Sequence, residues 1–81
     1  MNIVFEDKAL KQLKKIPKND AKLILSKINN LNNFPNISNI KKLINYYPPF
    51  RLRINNYRVL FDIEKEKIII FEILKRKDAY K

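Results

Sequence analysis

The sequence predicts an α+β fold: an N-terminal strand and an antiparallel two-helix hairpin packed on one face of an antiparallel sheet, ordered β-α-α-β-β-β. A single domain is expected over residues 1–81. Three observations predict this. Two early segments repeat apolar residues at three- and four-residue steps, the period of a helix with one buried face. The last third alternates apolar and polar residues, the period of a half-buried strand. Turn-forming residues separate these blocks, so each has room to be one element.

Residues 2–5 form a short apolar run that reads as the first strand. Glu6 and Asp7 then place negative charge where a helix N-terminus favours it. Ala9, Leu10, Leu13 and Ile16 make the stripe of the first helix, and Pro17 ends it. A second helix is expected from Asn19 or Asp20, either of which can cap it. Its stripe is Ala21, Ile24, Leu25, Ile28 and Leu31, broken by Asn32-Asn33-Phe34-Pro35. Asn36 to Ile40 reads as loop, and Lys41 to Ile44 as the start of a strand interrupted at Tyr46-Tyr47-Pro48-Pro49. Phe50 to Ile54 alternates strictly, Asn55-Asn56 supplies a two-residue turn, and Tyr57 to Ile63 continues the pattern. A charged turn at Glu64-Lys65-Glu66 leads into a closing strand, Lys67 to Leu74.

What is missing narrows the chemistry. The 81 residues contain no Cys, no His and no Gly. Disulfides, thiol nucleophiles and Cys-ligated metals are therefore excluded, as are the commonest general base and glycine-rich phosphate loops. No metal and no cofactor is expected. The N-terminus lacks the order of a signal peptide, and the longest apolar run is Ile68-Ile69-Ile70-Phe71, so no membrane association and a cytoplasmic location are expected. Eighteen Lys and Arg against eight Asp and Glu give a net charge of +10, which points to a polyanion or an acidic protein as partner.

The arginines are not scattered like the lysines. Fourteen basic residues are lysine; the four arginines are Arg51, Arg53, Arg58 and Arg76. A tight turn at Asn55-Asn56 pairs Arg53 with Arg58 and Arg51 with Leu60 on the face opposite the helices. Like charges directly opposed across a strand pair are destabilising, an arrangement that suits an anion held between them. Guanidinium offers a planar fork of donors matched to phosphate. A tight last turn would set Arg58 opposite Glu72 and leave Leu60, Ile70 and Leu74 uncovered beside the arginines, as a partner surface. Tyr80, after four polar residues and an alanine, has no periodic reason to be there. Tyr57 reads as core, while Tyr46 and Tyr47 suit either packing or base stacking.

Phe50-Arg51-Leu52-Arg53-Ile54-Asn55-Asn56-Tyr57-Arg58-Val59-Leu60-Phe61, together with Arg76-Lys77-Asp78-Ala79-Tyr80, resembles the RelE/ParE superfamily of type II toxin–antitoxin toxins. Lys41-Lys42-Leu43 and the amphipathic first helix fit as well, so the likeness covers nearly the full length. The RelE-like branch consists of metal-independent endoribonucleases that cut mRNA, typically in the A site of the 70S ribosome, and so inhibit translation. The resemblance implies catalytic roles for Arg51, Arg53, Arg58, Arg76 and Tyr80, and RNA binding by Lys41, Lys42, Lys75 and Lys77. It implies an acidic antitoxin, docked over Leu60, Ile70 and Leu74, and a toxin–antitoxin complex that binds operator DNA through the antitoxin. The chain departs from the family pattern in carrying Asn-Asn where Gly is frequent, arginine where some members have lysine, and no His. Arginine stays protonated, so the base falls to Tyr80 or to a lysine such as Lys42 or Lys75. Two other readings stand beside this one: a ParE-like inhibitor of DNA gyrase, and a basic RNA- or ribosome-binding module without chemistry.

Overall fold

A computed structural model of the protein describes residues 2–34 and 36–75. The first segment is strand β1 (Asn2–Phe5), followed by helix α1 (Asp7–Lys14). Helix α2 (Lys18–Asn29) runs into a 3-10 turn at Asn30–Asn33. Asn19 and Asp20 lie inside α2 rather than at its cap: Pro17 takes that place, with no side-chain cap hydrogen bond. Pro17 suits the position because its φ is already fixed and its missing N–H forgoes no helical bond. The buried stripe is Ala9, Ile24, Ile28 and Leu31, with Leu13 and Ile16 half-buried against it. Leu10 and Leu25, at the margins of the predicted stripes, are exposed.

The remaining strands are β2 (Ile40–Lys42), β3 (Phe50–Ile54), β4 (Tyr57–Glu64) and β5 (Lys67–Lys75). Among the described residues the sheet has five strands, in the order β1-β5-β4-β3-β2. Its last four strands are antiparallel neighbours, but β1 pairs with β5 in parallel, so the sheet is mixed rather than wholly antiparallel. The helices connect β1 to β2 at the opposite edge, which runs against β1, and the three antiparallel reversals from β2 to β5 then bring β5 parallel to β1. Glu6 N–H extends the β1 ladder by donating to the Ile70 carbonyl at 2.9 Å. Where β1 ends, α1 closes the exposed edge, and Gln12 Oε1 accepts from Ile73 N–H at 2.6 Å. That bond satisfies a donor which the edge would otherwise leave to water.

Without glycine, left-handed backbone falls on other residues. Asn39, Asn45 and Asn55 take it at φ 68°, 58° and 51°, and asparagine tolerates this best among non-glycine types. The fourth such residue is Lys65, at φ 55°, in the two-residue turn closed by Glu64 opposite Lys67.

The covered sheet face meets the helices through Leu52, Ile54, Tyr57, Val59, Phe61, Ile68, Ile70 and Ile73. Phe50 stacks on Phe61 with ring centroids 5.3 Å apart and meets Phe34 edge-on at 5.4 Å. Tyr57 Oη–H donates to Asp20 Oδ2 at 2.9 Å and ties β4 to the first turn of α2. Burial first, and then the Asp20 carboxylate, hold the Tyr57 phenol above its ordinary value.

Candidate functional site

Strand alternation places the basic residues of β3 and β4 on the face away from the helices. The hairpin register is the one predicted from the Asn55-Asn56 turn: Ile54 opposite Tyr57, Arg53 opposite Arg58, Leu52 opposite Val59 and Arg51 opposite Leu60. Beside β3, Lys41 stands opposite Arg51, and Asn39 extends the ladder by accepting from Arg53 N–H at 2.9 Å. The open face therefore has one row Lys41–Arg51–Leu60–Glu72 and, next to it, Arg53–Arg58–Leu74.

The three arginines are held differently. Arg53 is exposed. Arg58 is only 5% exposed, and its Nη1 donates to the carbonyls of Tyr57 at 2.9 Å and Asn55 at 3.3 Å. The turn thus supplies partial negative charge to one member of the opposed pair, which offsets the repulsion between Arg53 and Arg58. Arg51 is 6% exposed, with its guanidinium carbon 4.9 Å from the Tyr46 ring centroid, in cation–π range. Tyr46 is the participant that periodicity missed, because the Tyr-Tyr-Pro-Pro segment belongs to no strand pattern. Its position depends on the β2–β3 connection folding back, closed by Leu43 N–H donating to the Pro49 carbonyl at 2.8 Å.

The same connection corrects the expected apolar partner surface. Tyr47 packs edge-on against Phe71 at 5.4 Å, while Tyr46 sits on Arg51. Leu60 lies between these contacts in the cross-strand order and is 2% exposed rather than uncovered. Ile70 is wholly buried on the other face, opposite Phe61. Ile70 is turned there by the two-residue last turn, whose Glu64–Lys67 pairing carries through to Phe61 opposite Ile70. Beyond it, an irregularity between Leu60 and Phe61 pairs Leu60 with Glu72 and makes Phe71 the extra residue. The two-residue turn and the extra residue each move the register by one, and together they set Arg58 opposite Leu74 instead of Glu72. Glu72 is ion-paired to Lys8 of α1 at 2.8 Å. Leu74 alone of the three proposed apolar residues keeps partial exposure.

The proposed lysines do not gather on one surface. Lys41 joins the arginine face. Lys42 stands opposite Phe50 on the helix side and lies 5.6 Å over that ring. Lys75 stands opposite Tyr57 and lines a cleft with Gln12, Lys15 and Ile16. Arg76, Lys77 and Tyr80 lie outside the described residues.

Charge divides the open face along its length. Arg51, Arg53 and Arg58 occupy the end near the Asn55-Asn56 turn, and Asp62 and Glu64 the other end of β4. Partial desolvation, and then Glu64, Asp62 and Glu6, raise the Tyr47 phenol above its ordinary value. An anion is favoured at the arginine end and repelled at the other. The arginine end can hold a phosphate and stabilise charge that develops on it.

A family model described as the ParE toxin of the type II toxin–antitoxin system parDE matches residues 3–80. The chain belongs to the RelE/ParE superfamily of type II toxins. Toxin RelE3 of Methanocaldococcus jannaschii is 31% identical to this toxin over 84 residues, covering 99% of this chain and 96% of the relative. The RelB–RelE antitoxin–toxin complex of Methanococcus jannaschii contains a similar chain, with 30% identity and a TM-score of 0.79, covering 95% of this toxin and 94% of that chain. A chain of the RelBE2 toxin–antitoxin complex of Mycobacterium tuberculosis shares the fold at TM-score 0.76 and 22% identity, covering 93% and 96%. Two helices on a five-stranded sheet is thus this toxin's architecture and that of its solved relatives.

Proposed function

We propose that this toxin is a metal-independent endoribonuclease that cleaves mRNA in the ribosomal A site and thereby stops translation and growth. The observation that carries the proposal is the cross-strand pair Arg53–Arg58, with Arg51 and Lys41 in the adjacent row, on the sheet face opposite the helices. Likeness of about 30% to proteins named RelE supports the same reading.

RNA brings its own nucleophile. The 2′-oxygen attacks the neighbouring phosphorus, the 2′-O–P bond forms, and the P–O5′ bond breaks to leave a 2′,3′-cyclic phosphate. The 2′-hydroxyl proton goes to a base and another proton goes to the leaving 5′-oxygen. Exposed Arg53 engages the non-bridging oxygens, and Arg58, fixed on the turn carbonyls, holds its charge beside it. Removing one pre-aimed donor of this kind costs about 10²–10³ in rate. Arg58 or Arg76 donates to the leaving group, and the base is Tyr80 or a lysine such as Lys42 or Lys75. Catalytic roles for the three strand arginines, and RNA contact by Lys41, Lys42, Lys75 and Lys77, belong to the same proposal.

The toxin's partner is an acidic antitoxin that docks on the basic open face next to Leu74 and carries the complex to operator DNA. The work is done in the cytoplasm, where translated mRNA is found; no described helix is long and apolar enough to cross a membrane.

The family description favours one second reading, a toxin that inhibits DNA gyrase by binding. Tightly controlled expression followed by mapping of transcript 5′ ends separates the two. Discrete, translation-dependent cuts are expected, lost in Arg58→Ala together with growth inhibition. Intact transcripts accompanied by cleaved chromosomal DNA would turn the assignment to gyrase.

A further inference from the structure

Beyond the arginine face, the molecule has a polar cleft that none of the roles above uses. It lies where α2 and its 3-10 turn meet the loop before β2 and the end of β3, and has a volume of about 270 Å³. Four asparagines spaced three apart, Asn30, Asn33, Asn36 and Asn39, line it, with Lys27 and Arg53. Turn formation explains only part of this set. Asn39 is needed for its φ of 68°, but Asn30 has ordinary helical angles, and Asn33 lies within the 3-10 turn. Asn36 N–H donates to the Asn33 carbonyl at 2.8 Å, so the backbone holding these two amides is tied together.

We propose that this cleft is a subsite for one nucleobase of single-stranded RNA, next to the phosphate held at Arg53 and Arg58; the inference rests on the ribonuclease reading. Each amide presents an acceptor and two donors in one plane, the complement of a base edge. Bases of single-stranded RNA are splayed out and read on such edges. The volume lies just below the roughly 300–1,000 Å³ of drug-sized ligand pockets, enough for a single base and not for a stacked run. Lys27 and Arg53 supply positive charge for the phosphates flanking that base. Arg53 belongs to both sites, so base recognition in the cleft sets which phosphate reaches the arginines. The cleft thus determines the sequence preference of the cut.

Two measurements test this. In the first, ¹⁵N-labelled protein is titrated with AMP, CMP, GMP and UMP, and with ribose 5-phosphate. Side-chain amide resonances of Asn30, Asn33 and Asn36 are expected to shift with the nucleotides, with affinities differing at least threefold among bases. Asn33→Ala/Asn36→Ala should weaken the tightest at least fivefold. Asn33→Asp, which keeps the size and removes the amide donors, is a second variant in case the double change unfolds the chain. Equal shifts with ribose 5-phosphate, or none with any nucleotide, would overturn the subsite. In the second measurement, transcript cut sites are mapped for the double variant, and base frequencies flanking the cuts are expected to change at least twofold. Unchanged frequencies with discrete cuts would overturn the subsite and leave the ribonuclease standing. Transcripts left uncut by the unmodified toxin, with base-dependent amide shifts, would overturn the ribonuclease and leave a base-binding cleft.

Discussion

The two faces of the sheet are made by the same strands and do opposite things. On the covered face, rows such as Leu52–Val59–Ile73 and Phe50–Phe61–Ile70 exclude water beneath the helices. On the open face, one residue along each strand, Arg51, Arg53 and Arg58 concentrate positive charge. Only the first arrangement holds the fold together by burying apolar area. The second opposes like charges and survives because Arg58 is turned onto carbonyls and Arg51 onto Tyr46. The apolar core and the proposed phosphate site are thus separated by a half-turn of the strand, and substitutions should reveal which face they touch.

The sharpest way to break the comparison is Phe61→Ala. Phe61 is wholly buried and stacked on Phe50, so the change should cost about 3–5 kcal/mol, much of the stability of a domain this small. Urea denaturation should show a largely unfolded variant at 37 °C. Arg53→Ala should do the reverse. It leaves the unfolding free energy within about 0.5 kcal/mol, as exposed positions do. It should lower RNA cleavage about 100-fold, as loss of a charge-stabilising donor does. A destabilised Arg53→Ala, or one with full activity, would contradict the separation of the faces.

Tyr57→Phe probes the covered face at its polar end. Losing the bond to Asp20 should cost about 1–2 kcal/mol. Because the folded-state phenol is held above its ordinary value of 10.0, its contribution is complete below that pH and is lost as pH rises through the folded value. The stability difference between wild type and Tyr57→Phe should therefore change between neutral pH and pH 11, and a constant difference would contradict the raised value. Lys65→Gly should have the smallest effect and the opposite sign, because a lysine side chain at φ 55° is disfavoured. Relief of that conformation should stabilise the fold by about 0.5–1 kcal/mol, offset in part by the entropy of glycine when unfolded. Thermal melting measures it, and an unchanged midpoint would mean that the turn carries no strain.

Much of the site could be read from the chain because a hairpin is local. Given a two-residue turn at Asn55-Asn56, strict pairing sets Arg53 against Arg58 without knowledge of any other element. Asn19 and Asp20 are good caps by residue type, yet Pro17 takes that position, and Asp20 inside the helix accepts instead from the Tyr57 hydroxyl, 37 positions further on. Leu60 is covered by the returning Tyr46-Tyr47 connection and Ile70 is turned to the core by the two-residue last turn, and neither shows in the alternation of β4 and β5. The extra residue Phe71 is hidden in the sequence as well, because it continues the apolar run Ile68-Ile69-Ile70. The cleft of asparagines could be suspected from their density but not assembled, since its walls come from α2, the 36–39 loop and β3.

The sequence by itself determined the α+β class, the helical stripes, the β3–β4 register and the concentration of arginine on one face. Each follows from the period of side chains along a helix or strand, which a few neighbouring residues set. Tertiary structure alone decided the parallel docking of β1 on β5, the edge closure by Gln12, the shift at Phe71, and the return of Tyr46 and Tyr47 over the open face. These join residues distant along the chain, and their outcome depends on which surfaces remain uncovered once the local elements have formed.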